Sequence, residues 1–211
     1  MEVEARGRDT MDNWTHHIAD LHDLMTRLSC RRGRAQNIGV EPAFDLWRRL
    51  TLTLRRQRRT VYLVGNGASA SMASHMAADL AKNARLHTEV FSDLSLITAI
   101  SNDLGYDQVF SEPLSRRARS GDMLVAISSS GRSLNVLKAV DVARRSRLTI
   151  VTLSAMDPDN PLRSLGTLNL YTPALTYGCA ETCHAAALHH WMDLVDVTVR
   201  GGTKRPGRMR P

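Results

Sequence analysis

Four serine hydroxyls surround one glycine where an apolar segment gives way to a helical pattern. Residues 124–133 read Leu-Val-Ala-Ile-Ser-Ser-Ser-Gly-Arg-Ser. Serine hydroxyls and free backbone N–H groups at a helix N-terminus form a good receptor for a phosphate dianion. The segment lacks the Gly-Lys-Ser/Thr element of nucleoside triphosphate loops, so it favours a small phosphorylated metabolite. Serine is also common at helix N-caps for structural reasons alone, so an ordinary capped turn is the alternative.

A second set of residues has the types and spacing of metal ligands. His75 and Asp79 are four positions apart, which places both side chains on one face of a helix. Glu181 and His189 are separated by about 80° of helical rotation, so both can face one pocket. Two imidazoles and two carboxylates suit zinc or a similar transition metal. Each pair alone is more often a surface or interface contact, and only their combination predicts a metal site.

The elements that must position these residues alternate between strands and helices. Continuous apolar strands between helices indicate a parallel sheet covered on both faces. Right-handed crossovers then give a doubly wound domain that binds ligands at the carboxyl ends of its strands. Residues 30–40, between the first two helices, are predicted to be a loop. The strand candidates are 60–64, 88–91, 123–127, 148–153 and 168–171, and the helical patterns are 12–28, 42–56, 69–83, 108–118, 133–145 and 180–199.

Length and composition are typical of one domain. The chain has 211 residues and is 43% hydrophobic, enough for one substantial core. Residues 1–11 are assigned to a flexible N-terminus, 12–198 to the domain and 199–211 to a disordered basic tail. No apolar run of about 18 residues and no apolar segment after the charged N-terminus is present, which predicts a cytoplasmic protein without a membrane span. Three cysteines are too few for a disulfide framework and agree with a reducing compartment.

The formal net charge of +7 raises the question of nucleic acid binding. Residues 200–211 contain five of the basic side chains and no acid, as in a disordered, solubilising end. A second basic cluster closes a predicted helix, where cations interact favourably with the helix dipole. Nucleic acid is therefore an unfavoured partner. The second cluster consists of Arg55, Arg56, Arg58 and Arg59.

Five motifs follow one another along the chain: Gly65-Asn66-Gly67-Ala68-Ser69, then His75 with Asp79, then Ser101-Asn102-Asp103, then Ile127 to Ser133, then Glu181-Thr182-Cys183-His184 with His189. In this order and spacing they resemble the sugar isomerase (SIS) domain family and, within it, the phosphoheptose isomerase branch. The resemblance spans residues 12–196. The serine loop and the Gly-Asn-Gly loop mark SIS domains in general, whereas the two acid and histidine pairs mark the metal-using isomerases.

The resemblance implies a three-layer α/β/α fold with a five-stranded parallel sheet, extra N-terminal helices and a homotetramer whose active sites lie at subunit interfaces. It implies interconversion of a ketose phosphate such as sedoheptulose 7-phosphate with an aldose phosphate. The phosphate would be held by Ser128, Ser129, Ser130 and Ser133. The sugar would be contacted by Asn66, Gly67, Ala68, Ser69, Asn102, Asp103 and Glu181. A divalent metal, with zinc as the expected ion, would be bound by His75, Asp79, Glu181 and His189.

The chemistry of the residues agrees with that reaction. Aldose–ketose isomerisation moves a proton between C1 and C2 through an enediolate, so it needs a base for carbon, an acid for oxygen and stabilisation of the oxyanion. A divalent ion can stabilise the oxyanion as a Lewis acid. We assign Asp79 as the base and His189 as its proton-shuttling partner.

The chain departs from the family pattern in three places. Asp79 stands where the family has a glutamate, which withdraws the carboxylate by about one methylene, and displacements of about 1 Å matter in catalysis. Glu181 stands where the family has a glutamine, which adds a negative charge. Gly178 replaces an aspartate and opens the sugar end of the pocket. The departures suit a heptose or octose phosphate of natural-product biosynthesis, such as that of an antibiotic.

Two other functions use the same fold. Some SIS proteins bind a replication initiator or sense sugar phosphates without catalysis, but those relatives lack part of the acid and histidine set that is complete here. Aldol or amino-transfer chemistry would call for a pocket lysine or for additional domains. Lys82 and Lys138 are predicted to face solvent instead.

Overall fold

A computed structural model describes residues 13–201, which form seven strands and seven α-helices. The strands are β1 (Ser29–Arg32), β2 (Gln36–Asn37), β3 (Thr60–Val64), β4 (His87–Val90), β5 (Met123–Ser128), β6 (Thr149–Ala155) and β7 (Leu168–Thr172). The helices are α1 (Trp14–Thr26), α2 (Val40–Arg56), α3 (Ala68–Ala84), α4 (Leu94–Asp103), α5 (Ser111–Arg117), α6 (Leu134–Arg145) and α7 (Tyr177–Val199). The predicted flexible N-terminus, and residues 202–211 of the predicted tail, lie outside the described residues.

The centre of the sheet is parallel and buried. Strands β4, β3, β5, β6 and β7 lie side by side in that order, and each neighbouring pair is parallel. Every residue of β5 and of β7 is buried, as expected for strands covered by helices on both faces. The predicted α/β class and five-stranded parallel core are confirmed. The carboxyl ends of β3 and β5 place the Gly-Asn-Gly and serine loops on the same edge of the sheet.

The prediction of a loop over residues 30–40 is wrong. Strand β1 pairs antiparallel with β7 and with β2, which makes the sheet mixed and seven-stranded. Gly33, at φ +59°, allows the turn between β1 and β2. Only Cys30 of β1 is fully buried, so the segment lacks a clear apolar pattern. Its conformation comes instead from the ladder with β7, a long-range pairing that local propensity does not contain.

Residues 94–103, for which the pattern predicts no element, form α4. The side chain of Asp93 caps this helix by accepting a hydrogen bond from the N–H of Leu96 at 2.9 Å. Only Ile100 of the helix is buried, so the apolar periodicity that would reveal it is weak. The helix ends on the Ser101-Asn102-Asp103 motif.

Helices α3 and α7 pack beside each other on one face of the sheet. Small side chains, including Ala73 and Ala77 of α3 and Ala187 of α7, lie in this core and allow close approach. Trp191 of α7 stacks on Trp47 of α2 with ring centroids 4.1 Å apart, and its Nε1 donates to Thr51 Oγ1 at 3.0 Å. This buried contact fixes the rotation of α7 about its axis. None of the helices over residues 13–201 is long and apolar enough to cross a membrane.

Candidate active site

The serine loop begins where β5 ends and turns sharply into α6. Gly131 makes the turn at φ +62°, and its N–H donates to the carbonyl of Ser128 at 2.9 Å. Ser133 occupies the N-cap position of α6 but makes no capping hydrogen bond with its side chain, and its hydroxyl lies 3.2 Å from that of Ser128. The N-terminal N–H groups of α6 are therefore not satisfied by this serine, which disfavours the ordinary capped turn.

Asn160 supports this loop from the neighbouring connection. A Cβ atom on Gly131 would lie only 1.9 Å from Asn160 Oδ1, so the amide fills the space that a side chain would need. Asn160 Nδ2 donates to Asp157 O at 2.7 Å, and its Oδ1 accepts from the N–H of Arg163 at 3.0 Å. The amide is thus held on both sides. The sequence offered one signal for it, because asparagine before proline favours a turn.

A cavity of about 150 Å³ lies between the serine loop, the Gly-Asn-Gly loop and the start of α7. The structure therefore brings together seven of the residues predicted to bind substrate. Typical ligand pockets are about 300–1,000 Å³, so this one suits a phosphate with an adjoining part of a sugar. It is lined by Asn66, Ser69, Ile127, Ser128, Ser129, Ser130, Ser133, Tyr177 and Glu181.

Two side chains that the sequence analysis missed hold Asn66. The amides of Asn66 and Asn135 donate to each other at 3.0 and 2.8 Å, and the Tyr106 hydroxyl donates to Asn66 Oδ1 at 3.0 Å. Asn135 is buried near the start of α6. Gly67, at φ +54°, and Ala68 form the entry to α3 between the cavity residues Asn66 and Ser69. A buried asparagine in the first turn of a helix is the signal that could have identified Asn135.

His75, Asp79 and His189 form a second cluster between α3 and α7. One ligand atom of each lies within 4.8 Å of the others, and His75 Nε2 is 3.4 Å from Asp79 Oδ2. In a tetrahedral site with bonds of about 2.1 Å, two ligand atoms are about 3.4 Å apart. Two imidazoles and one carboxylate at this spacing fit zinc or a similar divalent ion. Glu181, the fourth predicted ligand, is outside this cluster and lines the serine cavity two turns earlier on α7.

The two adjacent histidines of α7, His189 and His190, point to different surroundings. The ring of His189 lies 5.3 Å from that of His75, measured between centroids. His190 packs edge-on against Phe44 at 4.7 Å. Only the first histidine is available to the cluster.

Lys82 contacts the cluster although it is largely exposed, as predicted. Its Nζ lies 3.4 Å from Asp79 Oδ1, while Oδ2 of the same carboxylate faces His75. Asp79 is therefore placed between an ammonium and an imidazole. Lys138, also predicted to face solvent, is instead only partly exposed and pairs with Asp107.

Asn102 and Asp103 do not line the serine cavity. Both are exposed at the end of α4, where Asn102 Nδ2 donates to Asp103 Oδ1 at 2.9 Å. Asp103 instead borders a cavity of about 310 Å³ between α4 and α5. Within one chain, these two predicted sugar contacts are thus separate from the others.

His184 lies in the same motif as Glu181 but is buried beneath the site. Neither ring nitrogen has a hydrogen-bond partner of good geometry among residues 13–201. Burial lowers the pKa of His184 to about 4, and the nearby backbone of Ser154 opposes this shift only in part. The imidazole is therefore neutral at physiological pH.

Replacing His184 with leucine is expected to make the protein less sensitive to acid. The folded-state pKa lies below the ordinary value of 6.5, so the unfolded chain takes up the proton first. Stability from this group is complete above pH 6.5 and is lost as the pH falls towards 4, by about 2–3 kcal/mol at pH 4.5. Urea unfolding at pH 7 and pH 4.5 should show a correspondingly smaller loss in the variant. The control is the exposed His87 changed to leucine. An equal loss of unfolding free energy between pH 7 and pH 4.5 in all three proteins would contradict the assignment.

The described domain is similar to proteins of known family. The family model described as "SIS domain" matches residues 47–155. A phosphoheptose isomerase of Shewanella sediminis is 35% identical over 143 residues, which cover 64% of this chain and 73% of that protein. A phosphoheptose isomerase of Pelobacter propionicus is 31% identical over 185 residues, which cover 83% of this chain and 97% of that protein.

Solved structures extend the similarity to the fold. A phosphoheptose isomerase from Neisseria gonorrhoeae superposes with a TM-score of 0.73 at 29% identity, covering 86% of this chain and 96% of that one. A phosphoheptose isomerase from Francisella tularensis superposes with a TM-score of 0.76 at 20% identity, covering 89% of this chain and 98% of that one. The second comparison supports the fold alone. The similarity therefore includes the sheet and the helices that carry the cavity and the cluster.

Proposed function

This chain belongs to the SIS domain family, and we propose that it is a metal-dependent aldose–ketose isomerase of a phosphorylated long-chain sugar. Its curated relatives identify it at the coarser level as a sugar-phosphate isomerase. The observation that carries the finer proposal is that α3 and α7 link the two features. Both helices contribute residues to the serine-lined cavity, and further along they carry the cluster of His75, Asp79 and His189.

The spacing of the two features supports a long substrate. From Ser69 in the cavity to His75 in the cluster, α3 rises about 9 Å, and from Glu181 to His189, α7 rises about 12 Å. Standard bond geometry gives about 1.2 Å per bond, so an extended seven-carbon chain with its phosphate ester spans about 10 Å. A sugar phosphate held by its phosphate in the serine cavity would thus present C1 and C2 near the cluster.

The residues of the cluster can perform the proton transfers. Asp79, with one oxygen beside Lys82, offers its carboxylate to the proton on carbon, and His189 moves a proton between the two sugar oxygens. A divalent ion bound by His75, Asp79 and His189, with zinc as the favoured identity, would supply Lewis acidity at those oxygens. The serine hydroxyls and the α6 N-terminus hold the phosphate and keep the sugar aligned.

The departures from the family pattern act at the sugar end. Gly178 at the start of α7 is exposed, and a Cβ atom there would meet nothing within 4 Å. Glu181 places a carboxylate in the cavity, where it can accept hydrogen bonds from sugar hydroxyls. Both features favour a heptose or octose phosphate with sedoheptulose 7-phosphate as the first candidate.

We further propose a homotetramer in which Asn102 and Asp103 complete the site of a neighbouring subunit. Both side chains are exposed and are separate from the serine cavity of their own chain. Large apolar side chains on α1 and α4 are available for such contacts, among them Trp14, which is 73% exposed, and Leu94, which is 74% exposed. Exposed apolar groups of this size are typical of interaction surfaces.

An NMR assay of a panel of seven- and eight-carbon ketose phosphates tests the proposed function. We expect one of them to form the aldose phosphate, with solvent deuterium entering at the carbon that exchanges its proton. A chelator should abolish turnover, and added zinc should restore it. Absence of turnover with every substrate and every divalent metal would leave a non-catalytic binding protein. Turnover that survives complete metal removal would refute metal dependence.

Replacing Ser130 with alanine is expected to raise the KM of the phosphorylated ketose by about 10-fold or more. A hydrogen bond to a charged group contributes about 1.5–3 kcal/mol, and Ser130 lines the cavity. Steady-state kinetics should show the effect mainly in KM. Ser115→Ala, which removes an exposed hydroxyl bonded within its own helix, serves as the control. An unchanged KM would remove Ser130 from the phosphate site.

A further inference from the structure

Two of the arginine runs in the chain meet at a cavity beside the amino-terminal ends of the central strands, on the side of the sheet opposite the active site. One run begins in the last turn of α2 and ends at β3, and the other begins in the last turn of α5 and precedes β5. Their side chains border a cavity of about 470 Å³ beside the first residues of these strands. We call it the arginine cavity, and its basic residues are Arg58, Arg59, Arg116, Arg117 and Arg119.

Three of these five guanidinium groups lack a carboxylate partner. Arg117 pairs with Glu89 in the cavity wall, and Arg116 pairs with Glu112 on α5 at 2.6 Å. Within residues 13–201, the other three, Arg58, Arg59 and Arg119, form no salt bridge. The cavity therefore carries an excess of positive charge.

Asp122, the second carboxylate of the cavity, has a structural role. Its oxygens accept hydrogen bonds from the backbone N–H groups of Thr60 at 3.0 Å and Arg119 at 2.7 Å. These bonds tie the start of β3 to the turn before β5. They fix the positions of the two arginine runs relative to each other.

Arg59 has the features of a preformed anion receptor. Its Nε is buried and has no hydrogen-bond acceptor among the described residues. The guanidinium packs under Gly121, where a Cβ atom would lie 3.4 Å from Nε and 3.7 Å from Cζ. A buried donor without a partner is costly, and guanidinium groups match phosphoryl oxygens in geometry. An anion in the cavity would remove that cost.

The neighbouring arginines of the same run are bound differently. Arg55 Nε donates to the Ala84 carbonyl at 2.8 Å, and Arg56 donates to Thr53 of its own helix at 3.0 Å. Arg55 thus bonds to the end of α3 and Arg56 to its own helix, whereas neither bond gives a role to Arg58 or Arg59.

We propose that the arginine cavity binds a small molecule through a diphosphate group, as in pyrophosphate or a nucleoside diphosphate. Three unpaired guanidinium groups call for more than one phosphoryl group, and the volume exceeds what a single phosphate fills. Tyr62 in the cavity wall stays protonated, because burial raises its pKa to about 12, and so adds no opposing charge. The cavity has no exposed aromatic side chain on which bases could stack, which disfavours single-stranded nucleic acid. The site is separate from the proposed isomerase centre.

Isothermal titration of the full-length, metal-free protein with pyrophosphate, ADP and orthophosphate tests the proposal. Pyrophosphate and ADP should bind with similar affinities, at least about 10-fold more tightly than orthophosphate, and more weakly as salt rises. Arg59→Gln and Arg119→Gln should each weaken pyrophosphate binding by about 10-fold or more. Arg56→Gln removes the same charge from the same run outside the cavity and should change the affinity less than about twofold.

Several results would overturn the site. An equal loss of pyrophosphate affinity in Arg56→Gln would show a non-specific effect of charge. A loss in Ser130→Ala with full affinity in Arg59→Gln would place the anion in the serine cavity. Tighter binding of a single-stranded oligonucleotide than of ADP, with the same dependence on Arg59, would identify a nucleic acid surface instead. Thermal melting of each variant distinguishes loss of binding from loss of folding, and Arg119, which is exposed, provides a variant with little effect on the core.

Discussion

Replacing Asp79 with asparagine is expected to lower kcat by about 10²- to 10⁴-fold, the usual contribution of a general base. The amide has the shape of the carboxylate and can still lie between His75 and Lys82. It cannot accept the proton from carbon, so the chemical step fails while the fold remains. The measurement is the rate of aldose formation together with the rate of solvent deuterium uptake by the ketose phosphate.

Asp141 provides a matched control for this variant. Like Asp79, it is a helical aspartate held by two side chains one turn away, in its case Arg144 and Arg145, and it lies outside the cluster. Asp141→Asn should retain wild-type kcat and deuterium uptake. If Asp79→Asn exchanged deuterium at the wild-type rate, the base would have to be another residue.

Replacing His189 with alanine should also lower kcat by about 10²-fold or more, because it removes the proposed proton shuttle. The change should reduce bound metal as well, since the imidazole belongs to the three-residue cluster. Metal content and kcat are therefore measured on the same sample. At saturating zinc, added imidazole should restore part of the lost rate by replacing the missing side chain.

A variant of the adjacent His190 distinguishes an effect on the site from a general disturbance of α7. His190→Gln disturbs the edge-on contact with Phe44 and is expected to lower stability. Its kcat at a temperature where it is folded should stay within a few-fold of the wild type. A kcat as low as that of His189→Ala would mean that any disturbance of α7 abolishes activity, and it would remove the support for a shuttle.

The fold could be predicted wherever the burial of an element produces an apolar pattern in the sequence. Strands β3, β5, β6 and β7 are largely apolar because helices cover both faces of the sheet, and that pattern is visible along the chain. The hairpin of β1 and β2 shows no such pattern, since its order depends on pairing with β7. Helix α4 buries one residue, so periodicity does not reveal it.

The parts of the site that could be predicted are those in which the residue types and their local spacing already indicate the chemistry. The serine loop and the pair of His75 and Asp79 depend on local spacing, which the sequence contains. Asn135 and Tyr106 act by contacting a residue far along the chain, as in the bond between Asn66 and Asn135 over 69 positions. Such contacts exist only after folding. The same holds for the arginine cavity, whose two runs are unremarkable when taken separately.

The pairing of β1 with β7 also sets the order in which the molecule can assemble. Asn169 of β7 donates to the carbonyl of Gly33, 136 positions away, and Trp191 bonds to Thr51 across 140 positions. A nascent chain can therefore dock the hairpin of β1 and β2 only after β7 has been synthesised. Contacts of such high sequence separation slow folding. Until they form, the buried strand β7 has an unpaired edge, and crowded nascent chains are exposed to intermolecular strand pairing at that point.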